Sequence, residues 1–130
     1  MAKVIGVGGI FLQCKDTDVT KAWYKTVMGV ETNDYGGWDF GHADAGKAFP
    51  TGARTIFAPF GADTDYFEPS TLPFMLNLMV DDLEGVLARC AEAGIEQVKP
   101  KETYSYGLFA WLMDPDGRKV ELWQPVEAEG

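Results

Sequence analysis

One short signature occurs twice in this chain, about half its length apart, and that repeat limits the possible folds more than any other feature. Residues 4–15 alternate as a strand does, with Leu12 and Cys14 on one side and Phe11 and Gln13 on the other. Asp16-Thr17-Asp18 then offers an N-cap, and Val19, Ala22, Trp23, Thr26 and Val27 follow at helical spacing up to Met28-Gly29. The second half does the same. Leu76, Leu78 and Val80 alternate, Asp81-Asp82 caps, and Leu83, Val86, Leu87, Cys90 and Ala91 form a helical stripe closed by Ala93-Gly94. A period of half the chain indicates two duplicated modules, each too small to bury its own apolar face.

Short strands are expected after each helix. In the first half they cover 30–35, 38–42 and 54–60, with 43–52 a loop; in the second they cover 95–103, 108–113 and 119–124. Each module is therefore βαβββ. The first occupies 1–60, residues 61–73 form a surface connection rich in Gly, Pro, Asp and Ser, and the second occupies 74–125, all within one domain spanning 1–130. The expected fold class is α+β, a curved mixed sheet forming a cup with helices on the outside.

The last of these strands meet in the stretch LFAWLMDPDGRKVELWQP, residues 108–125. Asp114-Pro115-Asp116-Gly117 has hairpin turn chemistry: Asp accepts local hydrogen bonds, Pro presets φ, and Gly takes the left-handed position. On the flanking strands Leu108, Ala110 and Leu112 point one way, with Val120 and Leu122. Phe109, Trp111 and Met113 point the other way, with Glu121 and Trp123. A carboxylate is thus expected among aromatics on a central strand. Leu76, Leu78 and Val80 join the helix-facing set, so the second apolar face must line a cavity, a subunit interface or both.

Charge and cysteine usage narrow the partners. The net charge is −9 with no Lys/Arg cluster, which argues against nucleic acid and anionic membranes and permits a cationic ligand. Cys14 and Cys90 lack metal-type spacing and read as reduced thiols of a cytoplasmic protein. No apolar run reaches membrane-spanning length, and the start has no leader pattern.

The doubled βαβββ order, with FLQCKDTDVTKAWYKTVMG (11–29), VDDLEGVLARCAEAG (80–94) and DPDGRKVELW (114–123), resembles the vicinal oxygen chelate superfamily of glyoxalases, bleomycin resistance proteins and extradiol dioxygenases. The resemblance covers nearly the whole chain. It implies a divalent metal held by His, Gln or Glu from corresponding strands. Glu121 matches one such position, but Gly9 and Met75 fall on two others, and the remaining one falls near Thr55 or Phe57. Glycine has no donor and a thioether suits soft metals, so the site reads as dismantled and no metal or other cofactor is expected.

Without a metal, a buried Glu121 requires hydrogen-bond donors, and Gln13 or Tyr104 are candidates. The expected ligand-binding set is Phe11, Gln13, Phe57, Met75, Asn77, Phe109, Trp111, Glu121 and Trp123, with Tyr104 and Tyr106 at the rim. Taken singly, each of the inward aromatics is more safely read as a core residue, and the rim tyrosines equally as surface packing. His42, the one histidine, reads as a surface residue; a substitute site of His42, Asp39 and Glu121 is the alternative for it. The functional reading is a homodimer sequestering a small aromatic or cationic compound, similar to the bleomycin-binding branch. The alternatives are a glyoxalase- or dioxygenase-related lyase or isomerase using Glu121 as metal ligand or general base, and a ligand-free dimerisation module.

Overall fold

The computed structural model describes residues 2–127. Among them lie three helices, α1 (Thr17–Trp23), α2 (His42–Ala48) and α3 (Leu83–Glu92), and four strands, β1 (Leu76–Met79), β2 (Glu102–Tyr104), β3 (Gly107–Met113) and β4 (Lys119–Pro125). The fold is α+β.

The two capping aspartates act as their positions predict. The Asp16 carboxylate accepts the N–H groups of Asp18 and Val19 and opens α1, which widens into a π-helical turn at Tyr24–Met28 and stops at Gly29. Asp82 accepts the Gly85 N–H and opens α3, whose first residue, Leu83, also donates its N–H to Gln124 Oε1 at 2.8 Å. That bond fixes the start of α3 against β4.

The sheet has the order β1-β4-β3-β2 and is open. β1 runs parallel to β4, while β3 pairs antiparallel with both β4 and β2. The second half is therefore a complete βαβββ module. The DPDG turn forms as its chemistry requires: Asp114 Oδ1 accepts from the N–H groups of Asp116 and Arg118, and Gly117 sits at φ 79°.

Leu122, Val120, Ala110 and Leu112 face the helices and form the core with Leu83, Val86 and Cys90 of α3 and Val27 beside α1. Leu78, Val80 and Leu108 pack at its edge. The helix-facing set read from alternation forms this core or packs at its edge, with Leu76 also buried, whereas Leu12 and Cys14 stay half-buried outside that cluster.

The first half departs from expectation. None of the segments 4–15, 30–35, 38–42 or 54–60 is a strand, and 42–48, expected within strand and loop, is a helix. An alternating segment becomes a strand only when a neighbour's row of N–H and C=O groups pairs with it. The four-stranded sheet of the second half offers these segments no such pairing. Alanines 43, 45 and 48 meanwhile favour helix, and this outweighs Gly46. Val4, Ile5, Phe11 and Phe57 are each at least 89% exposed as a result. In the second half, only residues 102 and 103 of the expected 95–103 strand pair in register, in a strand that runs on to 104, with the Val98 N–H donating to the Trp111 carbonyl upstream. Among the described residues, no helix is long and apolar enough to cross a membrane.

A polar staple joins α1 to the hairpin. Arg118, 2% exposed, donates to Asp114 Oδ2 at 2.8 Å and to the Gln13 carbonyl at 2.6 Å, and Tyr24 donates its hydroxyl to the same Asp114 oxygen at 3.0 Å. Asp116 accepts the Thr20 hydroxyl at 2.7 Å and the Lys15 N–H at 3.0 Å. Burial, then the Asp114 charge, pushes the Tyr24 phenol far up. The Asp116 carboxyl is held below its usual range, chiefly by the Lys15 N–H and then by the Thr20 hydroxyl.

Candidate functional site

The sheet face turned away from the helices follows from the strand register. Trp111 lies opposite Glu121, which lies opposite Asn77; Phe109 lies opposite Trp123, which lies opposite Met79; and Met113 lies opposite Lys119. Residues paired across strands share a face, so one carboxylate, one ammonium and a row of aromatics stand side by side.

Glu121 is only 7% exposed and is held by three donors. Asn77 Nδ2 reaches Oε1 at 2.6 Å, Trp111 Nε1 reaches Oε2 at 2.8 Å, and the Tyr66 hydroxyl donates to Oε2. A carboxylate accepts about four hydrogen bonds, so three of those places are taken. Burial, and then the hydrogen bond to Glu121, pushes the Tyr66 phenol well above its ordinary value. The two donors expected from sequence do not serve. Gln13 is exposed and its carbonyl is bound by Arg118, while the Tyr104 hydroxyl donates to Glu102. The reason is positional: Gln13 sits on an unpaired segment, and Tyr104 lies on the far edge strand.

Tyr66 belongs to the connection between the halves, a stretch that reads as mere surface. Its ring stacks on Phe60 at 5.7 Å, and its carbonyl accepts Lys119 Nζ at 2.6 Å. Lys99 Nζ lies 4.1 Å from the centre of the Trp111 ring. Together these groups seal Trp111, leaving it 2% exposed.

The other end of the face is open. The rings of Phe109 and Trp123 stack at 6.5 Å, and Tyr104 and Tyr106 stack on one another at 5.3 Å and meet Phe109 edge-on. Gly107 makes this packing possible, because a Cβ there would stand 2.7 Å from Trp123 Cδ1. Tyr104 and Tyr106 are 43% and 63% exposed, and Phe109 and Trp123 are half-buried. The structure thus brings together Asn77, Phe109, Trp111, Glu121, Trp123, Tyr104 and Tyr106, with Met75 half-buried just before β1. Phe11, Gln13 and Phe57 are exposed on first-half segments outside this sheet. Sequence reading missed Tyr66, Lys99 and Lys119. Lys119 alone had a signal, since it lies two residues before Glu121 and so on the same face.

The residues present do not fit the divalent metal that the fold family implies. Glu121 is already occupied by side-chain donors, and the matching positions carry Gly9, with no donor, and Met75, a thioether. Among the described residues, no group of three or more His, Cys, Asp and Glu side chains is arranged to hold a metal ion. That excludes the substitute site of His42, Asp39 and Glu121: His42 is exposed at the start of α2, and Asp39 is exposed beside it. Both cysteines are free, and burial pushes the Cys90 thiol up, as for an inert core residue.

Comparison with known proteins agrees with the architecture. Solved structures with similar folds include an antibiotic binding protein, TnmS3, from Streptomyces sp. CB03234, at 23% identity over 97% of this chain and 100% of that one, with a TM-score of 0.58. A fosfomycin resistance protein, FosX, from Listeria monocytogenes is 15% identical over 95% of this chain and 96% of that one, with a TM-score of 0.57. A glyoxylase/bleomycin resistance protein/dioxygenase domain from Frankia sp. EAN1pec is 19% identical over 98% and 96% of the two chains, with a TM-score of 0.58. At these identities the likeness establishes the fold alone. No curated protein matches. The family model for the glyoxalase-like domain matches residues 9–123, and the chain belongs to that family, within the vicinal oxygen chelate superfamily.

Proposed function

We propose that this protein binds a small aromatic compound on the open face of its sheet, without a metal and without turnover, in the manner of an antibiotic-sequestering protein. The observation that carries the reading is the state of Glu121. Its oxygens are engaged by Asn77, Trp111 and Tyr66, so it acts as a fixed polar floor beside partly open aromatic rings. Apolar walls with a few oriented polar groups are what small-molecule sites require. A carboxylate so occupied is poorly placed as a general base, since a substrate proton would first have to displace one of its donors.

The same reading makes the working unit a cytoplasmic homodimer. Phe11, Phe57, Val4 and Ile5 are nearly fully exposed on segments outside the sheet, an apolar surface that a second copy would cover. Phe11, Gln13 and Phe57 then belong to a cup completed across two chains. Two free thiols suit a reducing compartment.

The test is fluorescence titration of the full chain with planar aromatic compounds. Saturable quenching of the native protein is expected, with Phe109→Ala weakening it at least about tenfold while circular dichroism stays native. Equal quenching of the wild type and Phe109→Ala would move the site elsewhere. Light scattering checks the dimer: Phe11→Glu is expected to yield monomer.

A further inference from the structure

The chain's net charge of −9 suggests a cationic ligand, but two ammonium groups, Lys99 and Lys119, stand over the Tyr66 ring beside Glu121. Lys119 lies on the same sheet face as Glu121 and Trp123, at the end covered by Tyr66, and is 4% exposed. Buried ammonium groups are costly unless paired. Yet among the described residues no carboxylate lies within ion-pairing distance of Lys119, whose one hydrogen bond goes to the neutral Tyr66 carbonyl.

A second ammonium stands nearby. Lys99 and Lys119 both lie against the Tyr66 ring, with Nζ 5.7 Å and 4.9 Å from its centre. Lys99 pairs at 3.0 Å with Glu102, but both side chains are more than a third exposed to solvent or nearly so, and such a pair neutralises little. Burial, and then repulsion from Lys99, pushes the Lys119 ammonium below its usual value, against the pull of Glu121, Asp65 and Glu68. Two like charges crowd a ring that offers them only its π-face.

We propose that the aromatic compound bound by this face carries a small oxyanion, a carboxylate or its equivalent, seated by Lys119 and Lys99 while its ring packs toward Phe109 and Trp123. This deepens the binding function above and rests on it. Glu121, held by three donors of its own, orients Tyr66 and Trp111 and does not serve as a counter-ion for a cationic ligand. Positive charge on the ligand would meet two ammonium groups at the floor.

Three ring-matched probes decide the matter by calorimetry on the full chain: 2-naphthoate, 2-naphthamide and 2-naphthylmethylammonium. Naphthoate is expected to bind at least about tenfold tighter than the amide, a difference of about 1.4 kcal/mol, with the ammonium compound weakest. Lys119→Met should bring naphthoate to the level of the amide. Lys99→Met, at a more exposed position, should narrow the gap by a smaller factor and keeps the test valid if Lys119→Met does not fold. Equal binding of acid and amide, or tighter binding of the ammonium probe, overturns the oxyanion assignment while leaving an aromatic site intact. Failure of all three probes to bind overturns both that assignment and the binding function beneath it.

Discussion

The two halves of this molecule begin with the same signature and end in different states. Asp16 and Asp82 both cap helices, and Gly29 and Gly94 both follow them. The second half goes on to form four paired strands, with Leu112, Val120 and Leu122 fully buried. The first half contributes its helix to the same core through Val27, while its alternating segments form no strand. The helix is a local structure, fixed by its cap, its stripe and its closing glycine. A strand is not local: alternation selects a face, but only a partner satisfies its backbone.

Beyond that apolar contact, the halves are joined by polar bonds. Arg118 touches Asp114 and Asp116 in its own turn, and Gln13 in the first half. The sharpest way to break the comparison is Arg118→Met. It leaves the fully buried Asp114 carboxylate without its ion partner and should cost about 3–5 kcal/mol in chemical denaturation. A loss below 1 kcal/mol would mean that the halves are held by something else.

Next in size is the contrast between cores. Leu122→Ala removes a side chain with no exposure and should cost about 2–5 kcal/mol. Phe57→Ala, at 89% exposure, should change the stability of the isolated chain by about 0.5 kcal/mol or less, and should weaken self-association instead. If Phe57→Ala unfolds the monomer, the first half is packed in a way this architecture lacks.

The smallest effect is set by pH. Asp116 is held below its usual carboxylate range when folded, by the Lys15 N–H first and the Thr20 hydroxyl second. Its contribution is therefore present above the unfolded value of about 4 and disappears as pH falls through the lower folded value. Below pH of about 4, hydrogen exchange in α1 should quicken before exchange in β3 and β4 does. Thr20→Val should shift the onset upward in pH. Simultaneous exposure of both halves would contradict a separable staple.

This contrast also explains how far the sequence alone reaches. Alternation across 108–113 and 119–124 separates the helix-facing set from Phe109, Trp111, Glu121 and Trp123, and the DPDG turn fixes their register. Asn77 follows, because β1 lies beside β4. Alternation is equally clear at Phe11 and Gln13, and there it misleads, since no pairing partner lies alongside. Tyr66 is illegible for a different reason. It reaches Glu121 from a turn-rich connection 55 residues away in sequence, and no local pattern encodes that reach. The same holds for Lys99, whose place over Trp111 depends on how the chain runs in from α3 toward β2.

At the centre of the account is a carboxylate gripped by an amide, an indole and a phenol at the position where the family resemblance implies a metal ligand. Elemental analysis of untagged protein from cells grown with nickel, zinc, manganese and iron tests it most directly. Metal content far below one ion per chain, unchanged by Glu121→Gln, is the predicted result. One equivalent per chain that disappears in Glu121→Gln would contradict it.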